Sequence, residues 1–137
     1  MTRLFSAAAL LLLSAAPAFA AAPIAGRWIT EDGQAQVEIG ACGAATCGRI
    51  HRILRARPGA PTTDVNNSDA ALRRRPILGL PVLTGFQENG DSWRGRIYDP
   101  RSGRTYRSVV RRNADGTLRV QGCIAVICRT QTWRAAR

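Results

Sequence analysis

From residue 26 onward the chain breaks into short stretches in which apolar and polar residues alternate with period two, and none carries the sustained stripe of an amphipathic helix. The stretch 35–39 shows it most clearly, with Ala35, Val37 and Ile39 on one face and Gln36 and Glu38 on the other. Turn formers stand between the stretches: Glu31-Asp32-Gly33, Glu88-Asn89-Gly90-Asp91, Asp99-Pro100-Arg101-Ser102-Gly103 and Asn113-Ala114-Asp115-Gly116. The spacing predicts eight strands, at 26–30, around 35–39, and at 48–54, 77–86, 92–98, 105–112, 117–123 and 127–134. Consecutive strands on short turns are antiparallel neighbours, and closing their sheet removes exposed edges. The expected fold is all-β, an eight-stranded antiparallel up-and-down β-barrel whose interior is filled by side chains or holds one small ligand.

Residues 1–20 read as a signal peptide. Arg3 precedes an apolar stretch containing Leu10 to Leu13, and Ala18-Phe19-Ala20 supplies the small-x-small cleavage pattern, so cleavage is expected near Ala20. No cysteine follows that site directly and no later run is long enough to cross a membrane, so the mature protein is expected to be soluble, without a transmembrane segment, and periplasmic or secreted. Residues 21–137 then have room for a single domain with one core. All 20 basic residues are arginine; without Arg3 the remaining 19 face nine acids, a charge of +10. The bland reading of the arginine excess is genome composition, and the functional one is attraction to anionic partners. Only Arg73-Arg74-Arg75 forms a run, and no nucleic-acid partner is expected.

Cys42 and Cys47 are five apart, as are Cys123 and Cys128. In an oxidising compartment the first reading is two local disulfides, 42–47 and 123–128, each across a hairpin. Cross-pairing and a zinc site using His51 are the alternatives, although structural zinc sites favour closer cysteine spacing and reduced thiols. No metal and no cofactor are expected. The connection from 55 to 76, with Pro58, Pro61 and Pro76, is too long for a hairpin turn and reads as an ordered lid or a disordered loop. Within it Ser68 is a candidate N-cap for a short helix over 69–74, closed by Pro76.

Catalytic constellations are thin. His51 is the lone histidine, stands between Arg49 and Arg52, and no Gly-x-Ser-x-Gly elbow occurs, so an enzyme is the third-ranked reading. Asp64-x-Asn66-x-x-Asp69 fails as an EF-hand, since positions six and twelve would be Asp69 and Arg75 rather than Gly and Glu. Asp64 and Asp69 are expected in turns and caps. Trp28, Trp93 and Trp133 read as core, while Tyr98 and Tyr106 flank the 99–103 turn near a rim and are the better ligand contacts. The apolar tip Ile124-Ala125-Val126-Ile127 either plugs the barrel end or is an exposed contact site.

Gly26-x-Trp28 at the start of the first strand and Trp133-Arg134 at the end of the last resemble the lipocalin-like (calycin) arrangement, in which a base Trp packs beneath an Arg from the chain end. The wider pattern includes Val37-x-Ile39, Cys47-Gly48-x-Ile50, Asp64-x-x-Asn67, Leu72-Arg73-x-Arg75-Pro76, Tyr98-Asp99-Pro100, Gly103-x-Thr105-Tyr106 and Gln131-x-Trp133. It resembles a family of small exported bacterial proteins, a domain of unknown function with a lipocalin-like barrel. The resemblance implies that fold, an exported location and structural roles for Gly26, Trp28, Trp133 and Arg134; it carries no catalytic residues. The leading functional expectation is a binding barrel that takes a small amphiphilic or anionic ligand near Arg73, Arg75, Tyr98 and Tyr106. The alternative is an envelope or secreted interaction module without a cavity, meeting a protein or polyanion through residues 124–127 or the basic surface.

Overall fold

The computed structural model describes residues 15–16 and 20–137. Most of the expected signal peptide therefore lies outside the described residues. Eight strands, β1 (Gly26–Ile29), β2 (Ala35–Cys42), β3 (Ala45–Ile53), β4 (Pro81–Asn89), β5 (Ser92–Asp99), β6 (Arg104–Arg112), β7 (Leu118–Ile124) and β8 (Ile127–Ala135), form a closed barrel in sequence order. Every neighbouring pair is antiparallel, so the all-β up-and-down barrel read from the alternation is the fold observed.

Several strand limits differ from the periodicity. Residues 77–80 belong to the long connection rather than to β4, which begins at Pro81 and runs on to Asn89, opposite Ser92. The second hairpin turn is shorter than the 42–47 interval, because Cys42 pairs with Ala45 and leaves only Gly43 and Ala44 between the strands. Disulfides join Cys42 to Cys47 and Cys123 to Cys128, leaving no free thiol among the described residues, so neither cross-pairing nor a thiolate zinc site is formed. Cys123 and Cys128 face each other across the β7–β8 ladder.

Packing follows the alternation. Trp28, Val37, Ile39, Ile50, Leu83, Phe86, Val110, Leu118, Val120 and Trp133 are all buried in one core cluster. Gly95 leaves room for Phe86 against β5, where a Cβ would come within 2.6 Å of the ring. The register shift between Thr84 and Gln87, with Gly85 at φ 65°, is the bulge that turns Phe86 inward. One end of the barrel is closed by residues 21–25. Ile24 is buried there, its carbonyl accepts from Trp28 Nε1 at 3.0 Å, and the Ala22 carbonyl accepts from Trp93 Nε1 at 2.9 Å. The guanidinium over Trp28 is that of Arg112, 5.4 Å from the ring centroid. This corrects the assignment of that place to Arg134, which lies exposed opposite Ile29.

The β1–β8 seam is short. Trp28 pairs with Ala135 and Ile29 with Arg134, and the ladder then ends because β1 turns away at Thr30. Glu31 Oε1 accepts from the Thr132 amide at 3.0 Å, replacing the next missing strand contact. Among the described residues, no strand pairs with the outer edge of 127–131.

Candidate functional site

At the end opposite residues 21–25, the long connection is ordered by a polar hub. Asp64 is fully buried. Its Oδ1 accepts from the Tyr98 hydroxyl at 2.6 Å, and its Oδ2 accepts from Asn67 Nδ2 at 2.8 Å and from Arg75 Nε at 3.0 Å. Asn67 Nδ2 also reaches the Tyr98 oxygen at 3.1 Å, and the Arg75 guanidinium lies over the Tyr98 ring at 5.6 Å. Burial pushes the Asp64 carboxyl up, but the bonds from Tyr98, Asn67 and Arg75 and the Arg75 charge outweigh it and hold the group below the usual carboxylate range. Tyr98 moves the other way. Burial, then the bond to Asp64 and its charge, push the phenol up to about 12.

The segment's backbone locks onto itself and onto the barrel. The Asp64 amide donates to Arg75 O at 3.0 Å and the Ile77 amide to Thr62 O at 2.9 Å, which ties its two arms together. Asn66 Nδ2 donates to the carbonyls of Pro100 and Arg101, at 3.3 and 3.1 Å. Gly103, at φ 68°, sits directly beneath; a Cβ there would overlap the Asn66 carbonyl oxygen, so only glycine fits. The short helix expected over 69–74 is a single 3-10 turn, Ala70–Leu72. Its cap is Asp69, not Ser68: Asp69 Oδ1 accepts from the Ala71 amide at 2.9 Å. Arg73 donates Nε to Asn67 O at 2.8 Å and so closes the segment.

Beside this hub runs an open groove of about 860 Å³. It holds four arginines, Arg75, Arg96, Arg104 and Arg107, with Tyr98, Tyr106, Leu72, Pro81 and Ile124, and none of its lining residues is a carboxylate. Arg96 and Arg107 stand directly opposite each other on β5 and β6. Like charges so placed repel, and nothing in the groove neutralises them. Tyr98 pairs with Thr105 and Tyr106 with Ile97, so the two tyrosines emerge on opposite faces of the sheet and the groove passes over the rim between them. Of the four residues singled out from sequence, Arg75, Tyr98 and Tyr106 therefore meet in one groove, and Arg73 braces the segment beside it. Sequence reading placed Asp64 in a turn and missed its burial, and it did not single out Arg96, Arg104 or Arg107. The available signal was the arginine content of two adjacent predicted strands, Arg94 and Arg96 in 92–98 and Arg107, Arg111 and Arg112 in 105–112. A smaller recess of about 370 Å³, lined by Glu31, Asp32, Gly33, Arg55 and Arg134, carries mixed charge. His51 is on β3, with Nδ1 4.0 Å from Glu38 Oε2.

Residues 26–135 match the profile of the family described as "Uncharacterized protein conserved in bacteria (DUF2147)". The chain belongs to that family. No curated protein sequence matches it significantly. Among solved structures it is similar to protein HP1028 of the human pathogen Helicobacter pylori, described as belonging to the lipocalin family, with a TM-score of 0.72, 21% identity and 84% of each chain covered. That likeness establishes a lipocalin-like fold for this DUF2147 chain. The disulfides indicate an oxidising environment, and no helix among the described residues is long and apolar enough to cross a membrane.

Proposed function

We propose that this chain is an exported lipocalin-like carrier, residues 21–137 after removal of a leader at 1–20, that binds a small anionic amphiphile in the groove beside the Asp64 hub. The observation that carries the reading is a groove whose lining brings four arginines together without a lining carboxylate, only Arg75 being ion-paired among the described residues, with Asp64 behind it, next to aromatic and aliphatic surface. Guanidinium groups bind carboxylate, phosphate or sulfate heads through paired N–H donors, and Tyr98, Tyr106, Leu72 and Ile124 offer contact area to an acyl or aryl tail. Arg75 is pre-positioned by its bond to Asp64, which lowers the entropy lost when it engages a ligand. The groove, not the core-filled lower barrel, is the site.

Calorimetric titration with single-chain amphiphiles that share a tail but carry an anionic or a neutral head tests the proposal. The anionic compound should bind at least about tenfold more tightly, and Arg96→Gln with Arg107→Gln should remove most of that preference, as expected for two charge-assisted contacts. Equal affinity for both heads, or no effect of the double substitution, contradicts it.

A further inference from the structure

The β7–β8 tip does not plug the barrel. Ile124, Val126 and Ile127 are 59%, 95% and 73% exposed, and they project beyond the barrel rim next to the free outer edge of β8. Such exposure is costly in water and marks a contact surface. The tip is also held rigidly. The 123–128 disulfide staples its base, Arg107 Nη2 donates to the Ala125 carbonyl, and Ala125 itself is kept at φ 51°, a conformation that alanine rarely adopts. We infer that this tip docks the protein on the surface of an anionic lipid bilayer, with Ile124, Val126 and Ile127 entering the interface and Arg107 and Arg129 meeting the head groups.

Charge complementarity selects that occupant. The β6, β7 and β8 strands contain no aspartate or glutamate, and their arginines nearest the tip, Arg107 opposite Cys123 and Arg129 opposite Gly122, are exposed. Apolar residues at a leading edge with cations set just behind them match the layering of a membrane interface, where acyl chains lie beneath anionic head groups. The docking surface goes beyond the carrier reading: Ile124 and Arg107 also line the groove, whereas Val126, Ile127 and Arg129 lie outside it.

The test uses protein expressed from the full chain and recovered in soluble, oxidised form, sedimented with vesicles of phosphatidylcholine alone or with a substantial fraction of phosphatidylglycerol. Wild type should sediment with the phosphatidylglycerol vesicles, release as salt is raised, and ignore phosphatidylcholine. Val126→Asp and Ile127→Asp should each lower partitioning roughly tenfold, and Arg129→Gln should lower it on anionic vesicles only. All three positions are exposed, so circular dichroism should match wild type. These variants should keep the affinity for a soluble anionic amphiphile, which separates failure at the tip from failure of the groove. Wild type that does not sediment with anionic vesicles, aspartate variants that sediment equally well, or a tip that engages only a protein partner would each overturn the inference.

Discussion

Asp64 has no solvent-exposed surface, yet three donors keep it ionised. Because its pKa is lower in the folded chain than in the unfolded one, its contribution to stability is present above about pH 4 and is lost as pH falls further. Asp64→Ala strands the Tyr98, Asn67 and Arg75 donors at once and should destabilise by about 3 kcal/mol in a denaturant titration at neutral pH. The same substitution should weaken groove binding, since Arg75 loses its anchor. Tyr98 gives the alkaline counterpart. Its folded-state value of about 12 lies above the unfolded value near 10, so stability is intact below about pH 10 and falls as pH rises toward 12. A chain without lysine has few other groups titrating in that window, so Tyr98→Phe should flatten the alkaline limb of a stability–pH curve. Ser108 is the opposite kind of residue. Its buried hydroxyl finds no hydrogen-bond partner among the described residues, and Ser108→Ala should raise stability by about 1 kcal/mol in the same assay.

At the scale of elements, the long segment and the hairpin stapled by Cys123 and Cys128 carry the predictions. Gly103→Ala should destabilise by more than the ordinary 1 kcal/mol or so of an unfavourable φ, because the added carbon also displaces the Asn66 carbonyl and with it the long segment. Replacing Cys123 and Cys128 by serine should cost about 2 kcal/mol by loop entropy in a denaturant titration, since only a short loop is closed. Local chemistry explains what was legible beforehand: alternating residues such as Val37 and Ile39, and turns such as Asp32-Gly33, declare strands and reversals within a few residues of themselves. The hub was not legible, because Asp64 and Tyr98 are 34 positions apart and meet only once the barrel has closed. For the same reason Arg112 rather than Arg134 covers Trp28: which guanidinium reaches the base depends on strand stagger, which periodicity does not encode. The tip's orientation was likewise undetermined, since an apolar turn reads identically whether folded in or pointing out.

For the whole molecule, the barrel divides into a packed end and a charged end. Trp28, Phe86, Leu118 and Trp133 fill the first, and residues 21–25 cover it. The second gathers the long segment, the arginine groove and the exposed tip. A sequence charge of +11 means that the cations of the second end repel one another and that multivalent anions relieve this. Phosphate or sulfate should therefore raise the melting temperature more than chloride does at equal ionic strength, and the difference should shrink in the Arg96→Gln, Arg107→Gln variant. The division also fixes where a ligand must register. In an amide NMR titration with an anionic single-chain amphiphile, shifts should concentrate at Arg75, Arg96, Tyr98, Tyr106 and Arg107 and leave Val37, Val110 and Val120 unmoved. Shifts centred on those three core residues, or spread evenly over the surface, would contradict the groove.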